Sequence, residues 1–132
     1  MLLENQLATL PRYIAALGWA SSTASNVNFG WQQRDAKPFQ YSTWALEKLI
    51  EASNVGADIG YFFDNPLRSE IDSTSTLIRR AIDQYQILRN ASPPPDSNTQ
   101  EMREIFSDIV PKLNVVTAHM EKEYRRLVDL PA

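Results

Sequence analysis

The sequence predicts an all-α protein, a bundle of about four main helices, because one spacing recurs along the chain. In three segments, apolar residues follow one another at steps of three and four residues. Since 3.6 residues make one helical turn, residues at these steps line one side of an α-helix. Helices with one apolar side bury those sides against each other, which is typical of a bundle. The three stripes are Leu3, Leu7, Leu10, Ile14 and Leu17; Leu67, Ile71, Thr74, Ile78, Ala81, Tyr85 and Leu88; and Met102, Phe106, Ile109, Leu113, Val116 and Met120.

The length and composition of the chain fit one soluble helical domain. The chain has 132 residues, 43% hydrophobic and 22% charged, with a net charge of -3. This size suits a single domain over residues 1–132, either as a whole protein or as a piece of a longer one. No nucleic-acid partner is expected, because nucleic-acid binding requires clustered Lys and Arg, and the charge balance is mildly acidic.

The chain contains no cysteine, which excludes disulfides, thiolate metal sites and a cysteine nucleophile. It has no run of about 18 apolar residues, so no membrane span is expected. The N-terminal residues lack the basic and apolar regions of a secretory signal. Together, these features favour a cytoplasmic, intracellular location.

The first helix is predicted over residues 2–19, with Pro11 inside its apolar stripe. A proline in a helix interior removes a hydrogen bond and clashes with the preceding turn. Two interpretations fit: one helix kinked at Pro11, which we favour, or a short turn followed by a helix capped by Thr9. Over residues 21–40 the apolar period disappears, which predicts a long aromatic-rich connection that is either functional or contains a short helix.

A second helix is predicted over residues 43–54, where apolar residues again recur at helical spacing. Gly56 is a plausible stop for this helix, because glycine is the usual residue just past a helix end. A short helical turn is expected over residues 57–63. Asn65 and Pro66 then form a break, with Asn65 as the cap of the third helix and Pro66 at its first position.

The third helix is predicted over residues 66–90 and the last over residues 99–127. Three consecutive prolines within residues 92–98 predict a stiff connector between these two helices. A capping box that starts at Ser97 fits the beginning of the last helix. Pro111 predicts a kink in it, because the residue before a proline is pushed out of helical geometry.

The strongest candidates for the core are one apolar residue of the second helix and three stripe residues: Leu49, Ile78, Ile109 and Leu113. Replacing any of them by alanine should cost about 2–5 kcal/mol. The third helix also has four consecutive hydroxyl side chains, at residues 73–76. These side chains favour a helix only weakly, but they are small enough to let a neighbouring helix approach closely.

No pattern in the sequence predicts catalysis, a metal or a cofactor. His119 is the only histidine, and Glu123, four residues later, would complete only half of a metal site. A serine nucleophile would need a base, and no Gly-x-Ser-x-Gly turn is present. The four glycines do not form a phosphate-binding loop. We therefore expect a protein that is not an enzyme.

Two groups of aromatic residues are candidates for a binding surface. The larger group, which we call the aromatic cluster, contains Trp19, Phe29, Trp31, Phe39, Tyr41 and Trp44. The smaller group contains Tyr61 and Phe62, which precede Phe63. Three consecutive aromatic residues cannot all face one core, because neighbouring helical residues point about 100° apart. Both groups also have a structural interpretation, in which the rings fill an end or a corner of the bundle.

The run from Trp44 to Asp64 contains Ala45-Leu46-Glu47-Lys48-Leu49, Asn54-Val55 and Tyr61-Phe62-Phe63-Asp64. It resembles the closing helices of bacterial repressor-type helix-turn-helix domains, which hold the core of that family and do not read bases. The DNA-reading part should lie between Gly18 and Trp31. That segment is too short here and lacks the family's usual glutamine and second-helix pattern. A DNA-binding regulator is therefore the weakest functional hypothesis.

The sequence favours a protein–protein interaction, adaptor or oligomerisation module. Apolar stripes and aromatic residues supply helical surface, whereas catalytic patterns are absent. The expected partner is another protein or a second copy of the chain in a homo-oligomer. The alternative is a helical bundle that binds an apolar small molecule near Trp19, Trp31 and Trp44, since ligand sites in bundles form between helices.

Overall fold

A computed structural model describes the backbone of residues 2–32, 38–90 and 96–130, with side chains at 2–27, 42–90, 101 and 103–130. Within these residues the chain forms four α-helices and no strand. The helices are α1 (Leu2–Gln32), α2 (Pro38–Ile59), α3 (Leu67–Arg89) and α4 (Asp96–Val128), and a short 3-10 turn, Gly60–Phe62, follows α2. The predicted all-α bundle is confirmed.

The helices form a ring in which α1 and α3 each pack against α2 and α4. The start of α3 lies beside the end of α4, where Glu70 meets His119. The end of α3 lies beside the start of α4, where the rings of Tyr85 and Phe106 are 5.4 Å apart. These two helices therefore run antiparallel, and α1 and α3 lie diagonally across the bundle.

The core is built from the predicted stripes. Leu49, Ile78, Ile109 and Leu113 are each at most 3% exposed, which confirms them as core residues. The buried residues of the second and third stripes are Ile71, Thr74, Ile78, Ala81 and Tyr85, followed by Phe106, Ile109, Leu113, Val116 and Met120. The side chain of Met102, also predicted in the third stripe, lies outside the described residues.

The long connection predicted for residues 21–40 is wrong. α1 continues to Gln32 and α2 begins at Pro38, so most of that segment is helical. The fully buried residues that continue the first stripe are Ala20, Ala24 and Val27. The sequence obscured this continuation because alanine adds little apolar signal and the intervening serines are typical of loops.

The predicted stop at Gly56 is also wrong, because α2 runs on to Ile59. Gly56 is buried, and a Cβ built there would lie 3.1 Å from Cε1 of Tyr13 and 3.2 Å from Oγ of Ser75. The missing side chain therefore serves the close approach of α2 to α1 and α3. Ser75 belongs to the predicted run of hydroxyl residues, and its small side chain does face a neighbouring helix.

The start of α3 lies within one residue of its predicted position. Asn65 does not cap this helix, since its start has no side-chain cap. Instead, the amide oxygen of Asn65 accepts a hydrogen bond from the hydroxyl of Ser69, at 2.7 Å. An asparagine before a helix can thus bond within the first turn without capping the backbone.

α4 begins at Asp96, three residues before the predicted start, so the predicted capping box and the end of the predicted connector lie inside the helix. All three connector prolines lie outside the described residues. Pro11 and Pro111 both lie inside continuous helices. Kinks at these two prolines stay a prediction.

Candidate functional site

The outer side of α1 carries no charge along its middle. No charged residue occurs between Tyr13 and Gln32. We call the exposed residues in the described part of this stretch the α1 face; they are Ala15, Gly18, Trp19, Ser22, Ser25 and Asn26. The solvent side of a surface helix usually carries charged and polar side chains. The α1 face, with small residues around a tryptophan, departs from that pattern.

Two tryptophans flank the seam between α1 and α2. Trp19 is 62% exposed, and Trp44, on α2, is 46% exposed. The ammonium of Lys48 lies 5.7 Å from the ring centroid of Trp19, a cation–π contact that connects this ring to α2. Trp44 precedes Lys48 by about one helical turn, so both residues lie on the same side of α2. The two indoles therefore belong to one surface.

Gly18 leaves open space in the middle of the α1 face. A Cβ built at this position would meet no atom within 4 Å. A glycine in a helix interior costs about 0.5–1 kcal/mol relative to alanine. No described residue packs so closely against this position that it would require a glycine and so offset this cost. Gly18 instead leaves the backbone of α1 open to close approach by another molecule.

Four residues of the aromatic cluster have no described side chain. Phe29, Trp31, Phe39 and Tyr41 have side chains outside the described residues. An apolar ligand site among the three tryptophans therefore stays a prediction. The segment from Gly18 to Trp31 lies within one continuous helix, so it has no turn between two helices of the kind a helix-turn-helix motif requires.

Tyr61 and Phe62 lie at the corner where the 3-10 turn follows α2. Tyr61 is 65% exposed, and its ring centroid is 4.4 Å from that of Phe62. Phe63 is 3% exposed, so the three consecutive rings do point in different directions. The carbonyl of Phe62 accepts a hydrogen bond from the amide of Gln6, at 2.8 Å, which connects this corner to the start of α1.

A groove of about 590 Å³ lies between α3 and α4. Its apolar lining residues are Leu77, Ala81, Ile87, Leu88, Ile105 and Ile109, and its polar ones are Arg80, Gln84, Glu101, Glu104, Asp108 and Lys112. No tryptophan is among them. Sequence reasoning missed this groove, because its two walls come from different helices and only their pairing creates it.

His119 contacts Glu70 of α3, not Glu123 of its own helix. Its Nδ1 lies 2.6 Å from Oε1 of Glu70 in a solvent-accessible position. Among the described residues, no group of three or more His, Cys, Asp or Glu side chains could hold a metal ion. This pair could not be predicted from the sequence, because the two residues are 49 positions apart.

Tyr13 is the described residue with the most perturbed acid–base behaviour. Its ring is fully buried, and no described residue lies in hydrogen-bonding geometry with its hydroxyl. The nearby Thr74 hydroxyl donates to the carbonyl of Glu70 instead, at 2.7 Å. Burial raises the pKa of Tyr13 well above its usual value; the carboxylates of Glu70 and Asp72 act in the same direction and Thr74 in the opposite one.

Comparison with known proteins found no family model, curated protein or solved structure that matches this chain. Among the described residues, no helix combines the length and apolarity needed to cross a lipid bilayer.

Proposed function

We propose that this chain is a non-enzymatic assembly module that pairs with a second copy of itself through the α1 face. The observation that carries the proposal is the uncharged α1 face, with Gly18 open to solvent beside Trp19. The centre of a protein interface is depleted in charged residues and enriched in aromatic ones. Tryptophan is also among the residues that contribute most to binding when buried at an interface.

A second copy of the chain is the occupant that best matches the charge of this face. Apart from the ammonium of Lys48 beside Trp19, a charged surface brought against the α1 face would meet no opposite charge and would lose water. The α1 face of a second copy carries no charged residue, so it does not incur this loss of hydration when the two faces pack together. Across a two-fold axis the same patch lies on both sides, so Gly18 allows the two helices to approach and each Trp19 covers small residues of the other copy.

Sedimentation velocity over a range of concentrations tests this proposal. The wild-type chain should change from monomer to dimer as concentration rises. Trp19→Ser should raise the dimer Kd at least about tenfold, which corresponds to about 1.4 kcal/mol. Gly18→Leu distinguishes close helix packing from unspecific apolar contact, because it adds apolar surface but fills the space beside the backbone of α1. It should weaken the dimer, whereas an unspecific apolar contact would be strengthened.

Val128→Ser is the matched control, because Val128 is 54% exposed but lies at the end of α4. This variant should have the dimer Kd of the wild type. A wild-type chain that stays monomeric at every concentration overturns the proposal. So does a dimer whose Kd is unchanged by both Trp19→Ser and Gly18→Leu, since the contact would then lie elsewhere.

A further inference from the structure

The groove between α3 and α4 extends along both helices and is apolar at its base. Its lining residues span 77–88 on one wall and 101–112 on the other. Twelve helical residues extend over three turns, or about 16 Å. Ala81 and Ile109 are the buried residues at its base, at 7% and 3% exposure. Ala81 leaves this space open, because a larger residue at its place in the stripe would fill the gap.

The charges at the rim are distributed unevenly along the groove. Because α3 and α4 are antiparallel and Tyr85 lies beside Phe106, the charged residues near one end are Arg80, Lys112 and Asp108, and Glu101 lies near the other end. None of these four side chains forms an ion pair with a described residue. The groove therefore offers an unpaired negative charge at the Glu101 end and, at the other end, two unpaired positive charges and one unpaired negative charge.

We infer that this groove binds an amphipathic helix of another protein, about three turns long. Such helices place apolar residues at steps of three and four into a groove between helices. The occupant carries Lys or Arg opposite Glu101 and Asp108, and Asp or Glu opposite Arg80 and Lys112, because complementary charge fixes orientation. The α1 face of a second copy is not this occupant, since it has no charge to offer.

A phage-displayed library of amphipathic helical peptides, selected against the full chain, identifies what the groove accepts. Enriched peptides should carry one apolar side, a basic residue at the end opposite Glu101, and acidic residues at the end opposite Arg80 and Lys112. Their Kd is then measured by fluorescence anisotropy. The double variant Glu101→Lys and Asp108→Lys should raise this Kd at least tenfold. A peptide whose basic residues are changed to glutamate should regain binding to the variant.

Asp83→Lys is the control for a general change of charge, because Asp83 is exposed on α3 but does not line the groove. It should leave peptide affinity within about twofold of the wild type. All substituted residues are exposed, and circular dichroism checks that each variant is folded. The inference is overturned if the library yields no enriched peptide, or if the enriched peptides bind the reversed-charge variant as well as the wild type.

Discussion

α1 and α3 lie diagonally across the bundle and bury comparable stripes, but their outer sides differ in charge. The α1 face has no charged residue, whereas the exposed charged residues of α3 are Arg68, Asp72, Arg79, Arg80, Asp83 and Arg89. A bundle requires only that the buried sides be apolar and the outer sides polar. The fold therefore does not account for the missing charges of the α1 face, whereas the proposed contact with a second copy would account for them.

The largest predicted effect comes from making the same change, isoleucine to alanine, on the buried side and on the outer side of α3. Ile78 is fully buried and Ile87 is 70% exposed. Ile78→Ala should lower the free energy of unfolding by about 2–5 kcal/mol, because it removes buried methyl groups and leaves a cavity. Ile87→Ala should change it by less than about 0.5 kcal/mol. Urea denaturation of both variants measures the two values, and equal losses would mean that Ile87 is covered in solution.

Substitutions at two glycines compare a packed side of a helix with an open one. Gly56→Val should lower the free energy of unfolding by about 1–3 kcal/mol, because the new side chain would crowd Tyr13 and Ser75. Gly18→Ala should raise it by about 0.5–1 kcal/mol, because alanine favours a helix and meets no atom here.

Thermal unfolding at concentrations where the chain is monomeric tests both glycine variants. The monomer is specified because a dimer contact at Gly18 would oppose the gain in helix stability. A loss of stability in monomeric Gly18→Ala would mean that the space beside Gly18 is filled within the chain. In that case the α1 face would not be open to a partner.

The sequence was sufficient to predict the fold where the stripe residues are large. α3 was predicted within one residue at each end, because Ile71, Ile78 and Tyr85 mark its buried side clearly. The second part of α1 was missed, because its stripe continues through alanines. The role of Gly56 was missed for a related reason: a glycine ends a helix in one context and permits close packing in another, and only the neighbouring helices decide.

The candidate surfaces were predictable to different degrees. Trp19 and Trp44 were identified from the concentration of aromatic residues. The uncharged α1 face could have been identified, because the absence of charge between Tyr13 and Gln32 is visible in the sequence. The groove and the contact between Glu70 and His119 could not, because they depend on which helices pair and in which direction.

The smallest predicted effect concerns the buried hydroxyl of Tyr13, on α1. The raised pKa means that the folded chain keeps this proton at a pH where the unfolded chain loses it, above the usual tyrosine value of about 10. Stability from this group is complete below that pH and declines as pH rises further, by at most about 1.4 kcal/mol per pH unit. Tyr13→Phe should remove this contribution to the decline.

Urea denaturation of the wild type and Tyr13→Phe at neutral pH and near pH 10.5 measures this difference. At neutral pH, Tyr13→Phe should change the free energy of unfolding by less than about 1 kcal/mol, because the hydroxyl it removes has no described partner. At the higher pH, the wild type should lose more stability than the variant. Equal losses would show that the hydroxyl reaches water in solution, so that the seam around Tyr13 would be looser than its full burial indicates.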